Sequence, residues 1–376
     1  MERHIPCVLM RGGTSKGVFL RREDLPEDPA LRDKLLLRLM GSPDPRQIDG
    51  LGGATSVTSK VAILEKSNRA DADVDYTFAQ VSVDKAVVDT KGNCGNISSA
   101  VGPYAVATGM VEGKDPVTEV RVYNTNTQKV IVETFATPGG KVCYDGDYVI
   151  AGVPGSAAPV KLTFMDPAGA VFGWLLPTGN VTDELDIPHW GKVSVSIVDA
   201  ANPLVFVKAS DIGLTGRELP QSLEQAPQLL ERLETVRGMA AQLLGLTEDY
   251  KKSAWETPAV PKMTFVAPPA NYVTAAGKLI EAGEIDLVAR MMSMQKPHQT
   301  YAMTGAMCTA CAAAIPGTVV AQCLPPQASH NKLRIGHPGG IIEAGVEYTM
   351  SEGEINIISA TGYRTARMLM SGTAFI

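Results

Sequence analysis

An α+β protein built from two similar halves is predicted by three observations. The chain has 376 residues and 45% hydrophobic content, ample for burial and beyond the usual size of a single core. Its first half reads as short β-rich runs between turns, interrupted by one helix of small apolar residues. A second small-residue run opens at Thr304-Gly305-Ala306-Met307-Cys308, echoing the run that opens at Asn93-Cys94-Gly95-Asn96. The expected division is 1–185 and 186–361, with the tail 362–376 closing back on the first half.

The elements follow in order. Strands are predicted within 74–83, 118–136 and 141–153, where β-branched and aromatic residues recur between turn residues. Residues 95–110 form the first small-residue helix, with Asn93 and Asn96 as cap candidates and Pro103 forcing a kink or a two-piece helix. Strands resume at KVSVSIVD after a turn-rich segment. Helical spacing runs through 217–246, with Leu219, Leu223, Leu229, Leu230, Leu233 and Val236 on the apolar face, and again through 275–292 on Leu279, Ile280, Leu287, Val288 and Met291. No Lys, Arg, Asp or Glu occurs between Lys296 and Lys332. The run 302–324 is mostly small and carries Thr304, Thr309, Pro316, Thr318 and Gln322, so it fits a buried central helix better than a membrane span.

Composition excludes several partners. A net charge of -6 and 6% aromatic residues supply neither the electrostatics nor the stacking surfaces of a nucleic-acid binder. The start MERHIPCVLMRGG lacks the apolar core and cleavage site of a secretory signal, so a cytoplasmic protein without a membrane partner is expected. Six scattered cysteines in a long chain point to reduced thiols.

Chemistry concentrates where reactive groups lie in glycine-rich turns. GGATSVTSK delivers Lys60 from a polar turn into the apolar run VAIL, where desolvation favours a neutral amine and hence a base. Taken alone, such a lysine is more often a surface residue at a strand end. Cys94 comes next in KGNCGN at the start of the first small-residue helix, where the dipole favours a thiolate; the competing reading is a small buried thiol. MRGGTSKG, residues 10–17, offers Arg11, Thr14, Ser15, Lys16 and backbone N–H groups to a carboxylate or phosphate, against the competing reading of a plain hairpin turn. Neither a phosphate-binding G-x-x-x-x-G-K-[ST] order nor a dinucleotide G-x-G-x-x-G is present. Cys308-x-x-Cys311 is read as core packing and His298 and His337 lack metal spacing, so no metal is expected; His337, near Arg334, is a candidate for orienting an anion.

MRGGTSKG, GSPDPRQIDGLGGATSVTSK (41–60), GNCGN (92–96), GHPGG (336–340) and RTAR (364–367) together resemble the PrpF-type methylaconitate isomerase and 4-oxalomesaconate isomerase/tautomerase family over nearly the whole chain. That family shares the diaminopimelate-epimerase-like fold. The resemblance implies two pseudo-symmetric domains, each a β-sheet or barrel wrapped around a central helix, with an active-site cleft between them. It also implies a cofactor-free allylic proton shift carried by Lys60 and Cys94. Substrate binding is expected at Arg11, Thr14, Ser15, Lys16, Ser59, Asn93, Gly95, Asn96, Thr304, Gly305, Ala306, Met307 and His337. The implied partner is a small unsaturated di- or tricarboxylate, with a homodimer or higher homo-oligomer left open. The epimerases oppose a cysteine from each half, whereas the second turn here begins Thr304-Gly305, which disfavours an amino-acid epimerase. The other rival is a binding protein that supports an aconitase-like dehydratase without chemistry of its own.

Overall fold

Strand Ser15–Arg21 shows why the first half folds as it does. Its GVFL run is buried on both faces: Phe19 packs on Tyr104 of an internal helix, with ring centroids 5.5 Å apart, while Val18 and Leu20 join an outer helix in a second apolar cluster. A continuous apolar run is what a strand covered on both sides requires.

In the computed structural model, which describes residues 4–90, 93–188, 190–351 and 353–376, the chain divides into two units, Met1–Met165 with Tyr363–Ile376, and Asp166–Gly362. The first contains β1 (His4–Gly12), β2 (Ser15–Arg21), β3 (Lys60–Lys66), β4 (Val74–Val81), β5 (Val88–Asp89), β6 (Val117–Asn124), β7 (Lys129–Ala136) and β8 (Pro159–Met165). The second contains β9 (Asp183–Ile187), β10 (Gly191–Ala200), β11 (Asn202–Lys208), β12 (Lys262–Ala267), the small hairpin β13 (Tyr272–Val273) and β14 (Leu279–Ile280), β15 (Leu287–Ser293), β16 (Lys296–Pro297), β17 (Leu333–His337) and β18 (Gly340–Ser351). The long strand β19 (Glu354–Phe375) gives residues to both.

The two units are wired alike. Along β1-β2-β3-β4-β6-β7-β8 the successive pairings are antiparallel, parallel, antiparallel, parallel, antiparallel and antiparallel. Along β10-β11-β12-β15-β17-β18-β19 the same order recurs. In the first unit β8 and β1 both pair with β19, closing a barrel of eight strands. The last part of β19 therefore closes back on the first half.

Helices take equivalent places in this wiring. Between β5 and β6 lie α2 (Gly95–Ser98) and α3 (Val101–Ala107), and between β16 and β17 lies α7 (Met303–Ala314). The expected two-piece helix is present, broken just before Pro103, which falls in the first turn of α3 where its missing N–H is tolerated. α7 is buried almost all round, and its Gly305 admits Met291, whose Cε lies 2.2 Å from the position of an added Cβ. Outer helices cover the sheets. α1 (Pro29–Met40) starts on an Asp28 cap, packs Leu35, Leu36, Leu39 and Met40 on β2–β4, and ends on Gly41 at φ 75°. The face read through 217–246 is realised by α4 (Pro220–Glu224) and α5 (Pro227–Leu243), with Leu223, Leu233 and Val236 buried against β9–β12, followed by the short α6 (Ser253–Glu256).

Two sequence expectations are corrected. Residues 275–292 form no α-helix: Gly277 punctuates the segment, a single 3-10 turn spans Ala282–Glu284, and Leu287–Met292 is a continuous buried run that becomes β15 between two neighbours. Residues 141–153 form no strand but a loop with glycines at 146 and 152, in which a single bridge joins Tyr148 to Ala157. The turn-rich segment 166–182, read with the first half, is counted with the second unit. Asp199 of β10 holds it, its carbonyl accepting from Gly169 N–H and its carboxylate from the N–H groups of Val171 and Phe172. None of the described helices is long and apolar enough to cross a membrane.

Candidate active site

Lys60 opens β3, where Val61 and Ile63 face α1 and alternation turns Lys60 to the opposite, inner face. Its exposure is only 8%, so the expected passage from polar turn into core is present. Directly across the ladder stands Gln80 of β4. Lys60 Nζ donates to Gln80 Oε1 at 2.6 Å and lies 5.0 Å from the centroid of Phe78. Gln80 is itself fixed, its Nε2 donating to the carbonyls of Ser59 and Ser56. Among the described residues no carboxylate lies within ion-pair reach of Lys60.

The approach to Lys60 is clamped by a buried amide. Gln47 donates through Nε2 to Ser59 Oγ at 2.7 Å and accepts the Ala54 N–H on Oε1. A Cβ on Gly52 would meet that side chain at 2.2 Å, which explains one glycine of the turn.

Cys94 is half-buried at the N-cap of α2, the position its sequence context implied. Asn93 Oδ1 organises this corner by accepting from Cys94 N–H at 2.7 Å, Asn124 Nδ2 at 3.1 Å and Ser98 Oγ at 3.3 Å. Gly92 and Lys91 of the same motif lie outside the described residues.

The β1–β2 turn closes against the other side of α2. Gly12 faces the helix so closely that a Cβ would stand 2.3 Å from Asn96 O, and Gly13, at φ 52°, would meet Asn96 Oδ1 at 2.2 Å. Asn96 Nδ2 donates to Thr14 Oγ1 at 3.1 Å. Gly17 joins this corner to the lysine: its Cβ would touch both Lys60 O and Ile97 of α2. Thr14, Ser15, Lys60, Asn93, Cys94, Gly95 and Asn96 thus gather at one inner corner of the first unit, while Ser59 turns its hydroxyl away to Gln47. Arg11 and Lys16 do not: they pair across the hairpin on the strand face opposite Gly12 and Gly17, and Arg11 Nη1 donates to Gly13 O, Thr365 O and Thr365 Oγ1.

Arg364 reaches the corner instead. This β19 residue is 7% exposed and donates through Nε to Asn96 Oδ1 at 3.0 Å and through Nη1 to Tyr363 O. It has no carboxylate partner among the described residues, and burial lowers its pKa to about 10. A buried guanidinium without a counter-charge is costly unless an anion arrives. The sequence marked the RTAR tail as returning to this half but carried no signal for Arg364 as a site residue.

Below the cysteine the interior holds a second layer that the sequence did not suggest. Tyr76, two strand positions from Phe78 on the inner face of β4, has a buried hydroxyl beside Ser98; burial pushes its pKa well up, nearby Cys94 adds to the shift and Ser98 opposes it. Glu133 of β7 accepts the Gly102 N–H at 2.9 Å, while its Oε1 is unpartnered. Desolvation holds its carboxyl well above the ordinary carboxylate range. The unfolded chain ionises near pH 4.3 while the folded one keeps its proton, so Glu133 weakens folding as pH rises from there towards the folded pKa. Glu133→Gln retains the acceptor for Gly102 and removes the titration. Its stability relative to the parent is expected to rise between pH 5 and pH 8, by about 1.4 kcal/mol for each pH step over which the unfolded chain alone is ionised. Urea melts at the two pH values check this, and equal differences at both would refute it.

In the second unit Thr304, Gly305, Ala306 and Met307 form the first turn of α7, with Thr304 half-buried and the other three buried. Cys308 is fully buried and donates to Val198 O at 3.3 Å; desolvation drives its pKa well up. With Cys311 raised to about 12, the Cys-x-x-Cys pair is core, as expected. His337 is buried at the end of β17, where Nδ1 accepts the Gly339 N–H and the carbonyl accepts from Tyr272. Its expected helper Arg334 is tied to Asp286 through two hydrogen bonds and is not available to an anion.

A pair of like-wired β units with short apolar helices in equivalent positions is the architecture of the epimerase-like folds. The comparisons agree. The model of the PrpF protein family matches residues 2–376. The chain is 46% identical to a 3-methylitaconate isomerase of Eubacterium barkeri, covering 100% of this chain and 98% of that one. It is 41% identical to a 2-methyl-aconitate isomerase of Shewanella oneidensis, covering 98% and 96%. It is 42% identical to a (4E)-oxalomesaconate Delta-isomerase of a Novosphingobium species, covering 99% and 97%. A crystal structure of methylitaconate-delta-isomerase superposes with a TM-score of 0.92 at 46% identity, covering 100% of this chain and 96% of that one. A hydroxyproline epimerase of Agrobacterium vitis, at TM-score 0.56 and 14% identity over 99% and 91% of the two chains, shares the fold. This chain is an isomerase, and it belongs to the PrpF family.

Proposed function

We propose that the chain moves a carbon–carbon double bond in a small unsaturated di- or tricarboxylate by a cofactor-independent allylic proton shift. The observation that carries this reading is the inner corner itself, where Lys60, held by Gln80, lies across Gly17 from α2, the helix that Cys94 caps. Lys60 takes the acidic C–H proton, and the electron pair is delocalised through the alkene into the conjugated carboxylate as a dienolate. Cys94 returns a proton at the far carbon, so the bond order shifts by one position and no atoms are gained or lost. Arg364, the hydroxyls of Thr14 and Ser15 and the amide of Asn96 hold the carboxylate that carries the developing charge.

The relatives' names favour this substrate class, since methylitaconate, methylaconitate and oxalomesaconate are unsaturated polycarboxylates. An amino-acid epimerase using a thiol from each unit has little support, because Cys308 is committed to Val198. The test is proton NMR in deuterated water with separate samples of 3-methylitaconate, 2-methylaconitate and 4-oxalomesaconate. One of them is expected to isomerise without added metal or nucleotide, gaining deuterium at the newly protonated carbon. Absence of both isomerisation and exchange in all three would shift support to a binding protein.

A further inference from the structure

On the strand face opposite the inner corner, β1 and β19 place Arg11 directly across from Arg367. Like charges facing each other across a ladder are destabilising, and here no carboxylate pairs with either guanidinium among the described residues. A cavity of about 140 Å³ opens beside them. Its far wall is the loop from Tyr144 to Ala158, whose ends are drawn together by Ala158 N–H on Tyr144 O and by mutual Tyr148–Ala157 hydrogen bonds.

We propose that this cavity is a second binding site for a compact oxyanion, a phosphate or a short carboxylate, distinct from the site of the reacting substrate. Alternation carries the distinction. Gly12 and Arg364 face α2, whereas Arg11, Thr365 and Arg367 stand on the other face. Arg11 spends Nη1 on Gly13 and Thr365, so its remaining N–H groups and the exposed fork of Arg367 are free to take two oxygens. Tyr144 lines the cavity with a buried hydroxyl that has no partner, a donor waiting for an acceptor. Burial and the neighbouring Arg367 both lower the pKa of Arg11, which an anion would reverse. Asp145 also lines the cavity but is exposed, leaving one net positive charge for the ligand.

The test compares sodium phosphate and sodium malonate with sodium chloride at matched ionic strength, reading thermal unfolding of the full chain and heat of binding. We expect a saturable rise in Tm of roughly 2–5 °C over chloride. The rise is expected to persist in Arg364→Met and to vanish in Arg367→Gln, which should retain the parent kcat/KM. Tyr144→Phe should weaken it several-fold. A parallel response to phosphate and malonate identifies the shared oxyanion chemistry, and a response to one of them names the ligand. The proposal is overturned if neither anion exceeds chloride, if Arg367→Gln responds like the parent, or if the shift is lost in Arg364→Met and the anion competes with substrate.

Discussion

Lys60→Met is expected to lower turnover by at least about 10³-fold while leaving the chain folded, because methionine matches the length of the lysine stem but can neither take nor return a proton. The structural penalty is small. Gln80 loses the donor to its Oε1 but keeps both bonds from Nε2, and Met remains in contact with the Phe78 face. The loss of one net hydrogen bond is worth about 1 kcal/mol. Cys94→Ser is the informative companion, since serine preserves the backbone bonds to Asn93 and Ser98 but is a far weaker acid. If lysine abstracts the proton, the serine variant should still wash deuterium into the substrate while forming product slowly. NMR in deuterated water reads both processes, and a Lys60→Met protein with most of its turnover would remove that residue from the mechanism.

Arg364→Met should raise KM by about 100-fold or more and lower kcat/KM in step, an effect of roughly 3 kcal/mol. Its folded stability is expected to stay level or increase, since the substitution replaces a buried, desolvated guanidinium with an apolar side chain of similar length. Binding and stability then move in opposite directions, which separates a substrate-holding role from a structural one. Arg364→Lys should not rescue, because a point charge cannot reproduce the planar fork that bonds Asn96 and Tyr363 while leaving Nη2 for a ligand. Steady-state kinetics and urea melts on the two variants check both halves; a large stability loss with unchanged KM would make Arg364 a packing residue.

Local chemistry made part of this site legible. The glycine-rich approach, the onset of the apolar run at Lys60 and the cap position of Cys94 depend on a few adjacent residues, as does the break that Pro103 introduced. Gln80, Phe78, Glu133 and Arg364 depend on ladder register. Arg364 meets Asn96 across 268 positions, and Gln80 meets Lys60 across 20, separations at which sequence periodicity carries no information about pairing. The same limit explains 275–292: an apolar run of the length of β15 suits a helix or a doubly covered strand equally well, and the neighbours β12 and β17 decide. Arg11 was misplaced for a simpler reason. Alternation along β1 sends it away from α2, and the hairpin motif does not reveal which of its residues face inward.

The shared strand β19 has a consequence during synthesis. Ala344 to Ser351 of β18 pair with its first part, Gly362 back to Glu354, whereas β1 pairs with its last part, Gly372 and its neighbours. The residues that close the first barrel are therefore translated long after β1 and β8 are made. Until then the nascent first unit carries unpaired strand edges for as long as some two hundred residues take to be translated, of the order of 10–40 s. A chain wired in this way depends on something holding those edges apart, and its yield in a cell should respond to chaperone supply more than its finished stability would suggest.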